Sequence, residues 1–167
     1  MDFVPSSPRP SPTLVDLLTQ PRVEPLVVQD CLRVIEREVA KPRGLLGLIT
    51  AQGFQALRNF DQGQLLTKVM AGLLSEFAQA LDPYYQRYQI QRREGKAWGS
   101  AADFVAYMQR HDRAVAEALL AITDRRRQKS YNPLLNLTYD NLRKPALGLV
   151  QDGVPAIAQV IATYALK

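Results

Sequence analysis

Apolar side chains recur at Leu66, Met70, Leu73, Phe77, Ala80, Tyr84 and Tyr88, in steps of three or four. That spacing draws one stripe along a 3.6-residue helix and predicts a long buried spine within residues 62–88. The rest of the chain repeats the period between helix start and stop signals. Ser11-Pro12 reads as an N-cap and first-turn pair that opens a short helix through Leu14, Val15, Leu17 and Leu18. Pro21 closes it. Pro25 starts a second helix, with Val28, Leu32, Ile35 and Val39 on its apolar face and Asp30, Arg33, Glu36 and Arg37 opposite, and Lys41-Pro42 ends it. A third helix over 45–59 is expected to bury Leu45, Leu48, Ile49, Phe54 and Leu57, with Gly47 and Ala51 leaving room for a close neighbour. Asp61 is the expected cap of the long spine.

Asp82-Pro83 interrupts that spine. Proline removes a backbone donor and crowds the carbonyl four residues back, so a break near Leu81 is expected, with Pro83 opening a further turn that carries Tyr84, Tyr85 and Tyr88. Residues 91–99 read as a polar loop. Ser100 and Asp103 form a capping pair for a helix through Phe104, Val105, Tyr107 and Met108. Asp112 is the expected cap of the next helix, which turns Val115, Ala118, Leu119 and Ile122 inward. Asn132-Pro133 starts another, expected to end before Pro145, and 146–166 reads as two short helices parted near Gly153. No run alternates at period two and no hairpin dipeptide occurs. The pattern therefore predicts an all-α fold: a single-domain helical bundle of seven to nine helices over 13–167, behind a disordered Pro/Ser-rich tail at 1–12.

Composition narrows the chemistry. The chain has 167 residues, the usual size of one domain, and one cysteine, which rules out an intramolecular disulfide. Cys31 falls on the apolar face of the second helix and reads as a packed, inert thiol. The first twelve residues lack the basic and apolar regions of a secretory signal. The apolar stretches 44–57 and 145–166 are interrupted, the first by Thr50 and Gln52, the second by Gln151, Asp152 and Pro155. Both fall short of the ~20 apolar residues of a spanning helix. A cytoplasmic protein, at most peripheral to a membrane or large complex, is expected.

Reactive constellations are missing from the sequence. The sole histidine, His111, lies at a helix junction with no second histidine to complete a metal site, and a serine nucleophile would have no other base. No glycine pattern for phosphate or dinucleotide binding occurs. No catalytic, metal or cofactor-binding residue is assigned, and no cofactor is expected.

Charge is the one asymmetry. Residues 87–129 hold ten basic and five acidic side chains, and the remainder holds eleven of each. The excess gathers at Arg92, Arg93 and Lys96 and again at Arg125, Arg126, Arg127 and Lys129, the candidate contacts for an anionic partner. An up-down path through the two intervening helices would bring the two clusters into one patch. The second run also suits a solvated helix C-terminus, where cations complement the macrodipole. Trp98, beside Gly99, is the candidate exposed aromatic, with packing beneath its loop as the other reading. Tyr84 and Tyr88 continue the buried stripe.

The segments PRVEPLVVQDCLRVIEREVA (21–40), LLSEFAQALDPYYQRY (73–88), ADFVAYM (102–108) and ALLAITDRR (118–126) resemble an uncharacterised family of small all-helical bacterial proteins, a domain of unknown function found in actinobacteria and cyanobacteria. The resemblance implies a bacterial cytoplasmic protein and no reaction. Three functions stay open. The first is a non-enzymatic accessory or assembly subunit that binds another protein. The second is an electrostatic binder of nucleic acid or an acidic membrane surface. The third is a small-ligand carrier or unrecognised enzyme, and a carrier needs an apolar cavity of roughly 300 Å3. Neither partner identity nor oligomeric state is legible.

Overall fold

The computed structural model describes residues 10–41 and 44–167, and the side chains of these apart from 44–51. Among the described residues it is all-helical: α1 (Leu14–Leu18), α2 (Glu24–Ala40), α3 (Gly44–Asn59), a 3-10 turn (Phe60–Gly63), α4 (Leu65–Arg93), α5 (Ala101–Gln109), α6 (Asp112–Gln128) and α7 (Pro133–Ala165). The tail expected to be disordered lies mostly outside these residues. Its last three are exposed, and two of them contact α4: Gln86 Nε2 donates to the Pro12 carbonyl (3.1 Å) and Arg93 to Ser11 Oγ (3.2 Å). The expectations for Leu45, Gly47, Leu48, Ile49 and Ala51 fall on side chains outside the description. Phe54 and Leu57 are buried.

Four helices make the body. The carbonyl of Ala165, at the end of α7, accepts from Tyr85 Oη in the later part of α4 (3.2 Å), so the two longest helices run parallel. α2 runs against them, because Tyr164 Oη donates to Asp30 Oδ2 near the start of α2 (2.6 Å). Gly153 meets α2 further along. A β-carbon there would come within 3.3 Å of Glu38 Cγ, so only glycine allows this approach without displacing it. α6 is antiparallel too: Arg143 pairs with Asp124 (2.9 Å) and Gln151 with Asp112 (3.4 Å) on α7, while Arg126 reaches Glu76 on α4. α2 and α6 each pack against both α4 and α7, whereas α4 and α7 barely approach each other. This is a four-helix bundle with α4 and α7 on one diagonal.

Both ends are covered. At the end where α4 and α7 finish, α5 inserts Phe104, Tyr107 and Met108, all buried. Tyr88 meets Phe104 edge-on (centroids 5.0 Å) and Tyr107 at 5.4 Å, and His111 stands 5.0 Å from Tyr107 and 5.8 Å from Tyr84. At the other end α3 packs on α2, α4 and α7.

Several boundaries differ from the sequence expectation, each for a local reason. α1 is capped by Thr13, not Ser11: Thr13 and Asp16 form a reciprocal capping box. Asp61 does not cap α4. It and Gln62 take left-handed backbone angles (φ 51° and 56°), Gln64 occupies the cap position without a side-chain bond, and the Asp61 carboxylate pairs with Lys68 (2.7 Å). His111, not Asp112, holds the cap position of α6, also without a side-chain bond.

The prolines do not break the helices. α4 runs 29 residues through Pro83, and α7 runs 33 through Pro145 and Pro155. Burial on both sides holds each axis: Leu81 and Tyr85 flank Pro83, and Val154 and Ala158 flank Pro155. Pro83 and Gln79 are exposed, so water can take the carbonyl that proline leaves without a donor. The buried stripe also turns slightly: Leu74, Ala78 and Tyr85 are buried where Ala80 and Tyr84 were expected. α7 is long and apolar enough to cross a membrane by length and composition, which the interruptions at Gln151, Asp152 and Pro155 argue against in sequence. It packs against α1, α2, α3, α5 and α6.

Candidate functional site: an apolar cavity in the bundle

The space between the diagonal helices is not filled. A cavity of about 290 Å3 runs between α4 and α7, walled by α2 and α6. Cys31 and Ile35 face it from α2, Met70, Leu74 and Phe77 from α4, Leu119 and Leu120 from α6, and Ile157 and Ile161 from α7. Among the described residues only Thr123 brings a hydroxyl to the wall. That hydroxyl donates to the Leu120 carbonyl (3.0 Å) and lies 2.9 Å from Tyr139 Oη, so it offers the cavity no free donor. The Cys31 thiol is pushed up to about 11 by burial and by the neighbouring Asp30 charge, and stays neutral. The wall can exclude water and hold hydrocarbon. Among the described residues it holds no base, and its thiol is neutral.

Two recesses share lining residues with the cavity, the first of them polar. One, about 430 Å3, shares Leu32 and Leu66 with it and is bordered by Arg58, Asn59, Gln62 and Thr67. Arg58 Nε stands 3.5 Å from Glu36, a loose pair. Gln62 on this rim and Asp61 before it are consecutive left-handed residues, a conformation that costs roughly 1–3 kcal/mol for each non-glycine residue. The other, about 100 Å3, shares Val69, Leu73 and Thr123 and reaches Asn136 and Tyr139 at the start of α7. There the Tyr139 hydroxyl donates to Asp124 (2.6 Å) and is pushed up to about 12, by burial first and by that carboxylate second.

The sequence candidates lie elsewhere. Arg92, Arg93 and Lys96 sit at the C-terminal end of α4 and its following loop. Arg126 reaches Glu76 and the Gly72 carbonyl near the start of α4. Sixteen residues of helix separate Glu76 from Arg92, about 24 Å at 1.5 Å per residue, so the two basic clusters do not form one patch. The up-down argument fails because α5 has 9 residues and α6 has 17, so the return overshoots. Much of the charge is also spent internally: Arg127 makes a two-pronged pair with Asp140 (both 2.8 Å) and Lys96 pairs with Glu94 (2.8 Å). Arg125 and Lys129 are exposed.

Trp98 is 92% exposed. Its loop is fixed from beneath by Asp103, which accepts from Tyr88 Oη (2.7 Å), Trp98 N (2.8 Å) and Gly99 N (3.4 Å). Gly99 has φ +80°, a backbone conformation that favours glycine, and lies against the exposed Arg92 side chain. Among the described residues no group of three or more His, Cys, Asp or Glu is placed to hold a metal ion.

A family of unknown function, DUF6918, matches residues 14–165. The chain belongs to that family. The DUF6918 match takes in every helix of the bundle and all of the cavity wall, and it assigns no activity. No curated protein and no solved structure matches the chain. Sequence reasoning missed the cavity because its wall is made of the residues that predict a packed core: Leu66, Met70, Leu73 and Phe77 belong to the stripe expected to be buried. Asn136 carried no signal beyond its place near a helix start.

Proposed function

We propose that this protein is a non-enzymatic carrier that binds one small, neutral, largely apolar molecule inside its four-helix bundle. The observation that supports this reading is the interior volume of about 290 Å3 with a hydrocarbon wall. At ~30 Å3 for a water-sized group, the space takes about ten non-hydrogen atoms. Burying that many methylenes yields about 8 kcal/mol before association costs, which puts the dissociation constant at about 1 µM or weaker.

The alternatives have less behind them. For an accessory subunit, the large exposed apolar side chains among the described residues, Leu26, Phe60, Ile90, Trp98, Tyr131 and Leu137, are spread over α2, the 3-10 turn, the end of α4 with its loop, and the start of α7. Scattered exposure of this kind is ordinary for a protein surface. For an electrostatic binder, the basic residues divide between two ends of α4.

Titration calorimetry with 1-decanol tests the carrier reading. Saturable one-site binding in the range above is expected, together with slower alkylation of Cys31 by iodoacetamide when the alcohol is bound. Ala78→Phe, which puts a ring into the cavity, should abolish the heat of binding while keeping the melting temperature. Absence of saturable binding by the folded wild type, with no protection of Cys31, would sink the reading.

A further inference from the structure

The end of the bundle closed by α5 holds exposed cations that no carboxylate offsets. Residues 87–110 carry five basic and two acidic side chains. Both acids are engaged: Glu94 pairs with Lys96, and Asp103 accepts from the Tyr88 hydroxyl and the Trp98 backbone. Among the described residues, Arg87, Arg92, Arg93 and Arg110 are exposed and have no carboxylate partner. Arg92 and Arg93 bond only neutral groups, the Gln89 side chain (3.5 Å) and the Ser11 hydroxyl (3.2 Å). By contrast Arg113, Arg126, Arg127 and Arg143 each hold a carboxylate. Arg92 lies against Gly99, next to Trp98. Arg110 stands over the Tyr107 ring (5.9 Å), which packs on the Tyr88 that anchors the loop. Trp98 itself keeps its backbone bonded and its ring in water, 92% exposed.

We propose that this end of the bundle docks on anionic lipid bilayers, with Trp98 entering the headgroup layer and Arg92 and Arg93 facing lipid phosphates. Arg87 and Arg110 add to the attraction at longer range. An indole has an apolar body and one N–H, which suits the boundary between headgroups and hydrocarbon. Guanidiniums beside it match phosphate in charge and in geometry. Single-stranded nucleic acid fits less well, because stacking along a strand needs successive exposed rings. The other aromatic residues at this end, Tyr85, Tyr88, Phe104 and Tyr107, are buried. The second basic cluster lies at the opposite end of α4 and is no part of this face. The proposal goes beyond the carrier reading and holds whether or not the cavity takes a ligand.

Trp98 is the sole tryptophan, so its fluorescence on the full chain reports the contact directly. Mixed phosphatidylcholine and phosphatidylserine vesicles should shift its emission to shorter wavelength and shield it from acrylamide. Phosphatidylcholine alone should do neither. One cation near an anionic surface changes partitioning about fivefold, so Arg92→Gln with Arg93→Gln should weaken binding about thirtyfold. Arg125→Gln with Lys129→Gln removes the same charge from the other end and should weaken it by less than about threefold. Trp98→Ala, read by co-sedimentation with the vesicles, should weaken it by about tenfold or more. Should that variant not fold, the two vesicle compositions on the wild type decide the matter. An emission unmoved by the anionic vesicles would overturn the proposal. So would equal binding to phosphatidylcholine alone, or equal losses from the two pairs of substitutions. Tighter binding of oligothymidylate than of the anionic vesicles, with Trp98 quenched, would assign the face to single-stranded nucleic acid instead.

Discussion

Asp103 shows how much a single side chain can hold in place. One carboxylate collects the Tyr88 hydroxyl from the aromatic end of the bundle and two backbone N–H groups from the Trp98 loop. The Tyr88 hydrogen bond is the main reason its carboxyl lies below the ordinary carboxylate range, with the two backbone bonds adding to it against a burial effect of opposite sign. A carboxyl lowered on folding stabilises the folded state above its unfolded pKa of ~3.9, and the contribution fades as pH falls through the lower folded value. Amide exchange at Trp98 and Gly99 should therefore be slow and level from pH 7 to about pH 5 after correction for intrinsic rates, and speed up in acid below about pH 4. Asp103→Ala should remove that pH step and cost about 1–2 kcal/mol, read by chemical denaturation. An unchanged acid profile in Asp103→Ala would show that the loop is held by other means.

At the scale of elements, the prolines teach the clearest lesson about reading this sequence. The helical period was legible throughout, because the stripes of α2, α4 and α6 depend only on which side chains avoid water. The starts at Ser100 and Asn132 were legible too, from their caps, but the helix stops were not, because Pro83 and Pro155 carry strong local stop signals that burial on both sides overrides, and α7 runs through Pro145 as well. Pro83→Ala should accordingly raise stability, by about 1–3 kcal/mol, since it restores the donor to the Gln79 carbonyl and removes the ring clash without touching a buried contact. A higher denaturation midpoint at unchanged helical circular dichroism is the expected result. Lower stability would mean that proline supports a bend the bundle needs. The cavity was illegible for a different reason: periodicity tells which side chains turn inward, and says nothing of whether those facing each other from α4 and α7 meet.

At the scale of the whole molecule, the bundle has a direction. The aromatic residues of α5 close one end, and the two recesses lie toward the other, where α4 and α7 begin. The basic residues sit at both ends and share a good part of their charge with nearby carboxylates. Asp124 illustrates the exchange: burial pulls its carboxyl upward, but the Tyr139 hydroxyl and the Arg143 guanidinium outweigh it and hold it below the ordinary range. The surface arrangement and the interior volume are thus separate features, and the proposed function draws on the second alone.

The opposed pairing of the helices sets the electric field inside. α4 and α7 place their partial negative ends at the aromatic end, and α2 and α6 bring partial positive ends to the same place. The four macrodipoles largely cancel along the axis, so an ion in the cavity would gain nothing there in return for its lost hydration. Decanol affinity should accordingly stay the same within a factor of about two between ~50 and ~200 mM salt, where a charged ligand or a phosphate-binding surface would lose affinity steeply. The interior is built as a solvent, and a solvent of this kind selects by size rather than by charge.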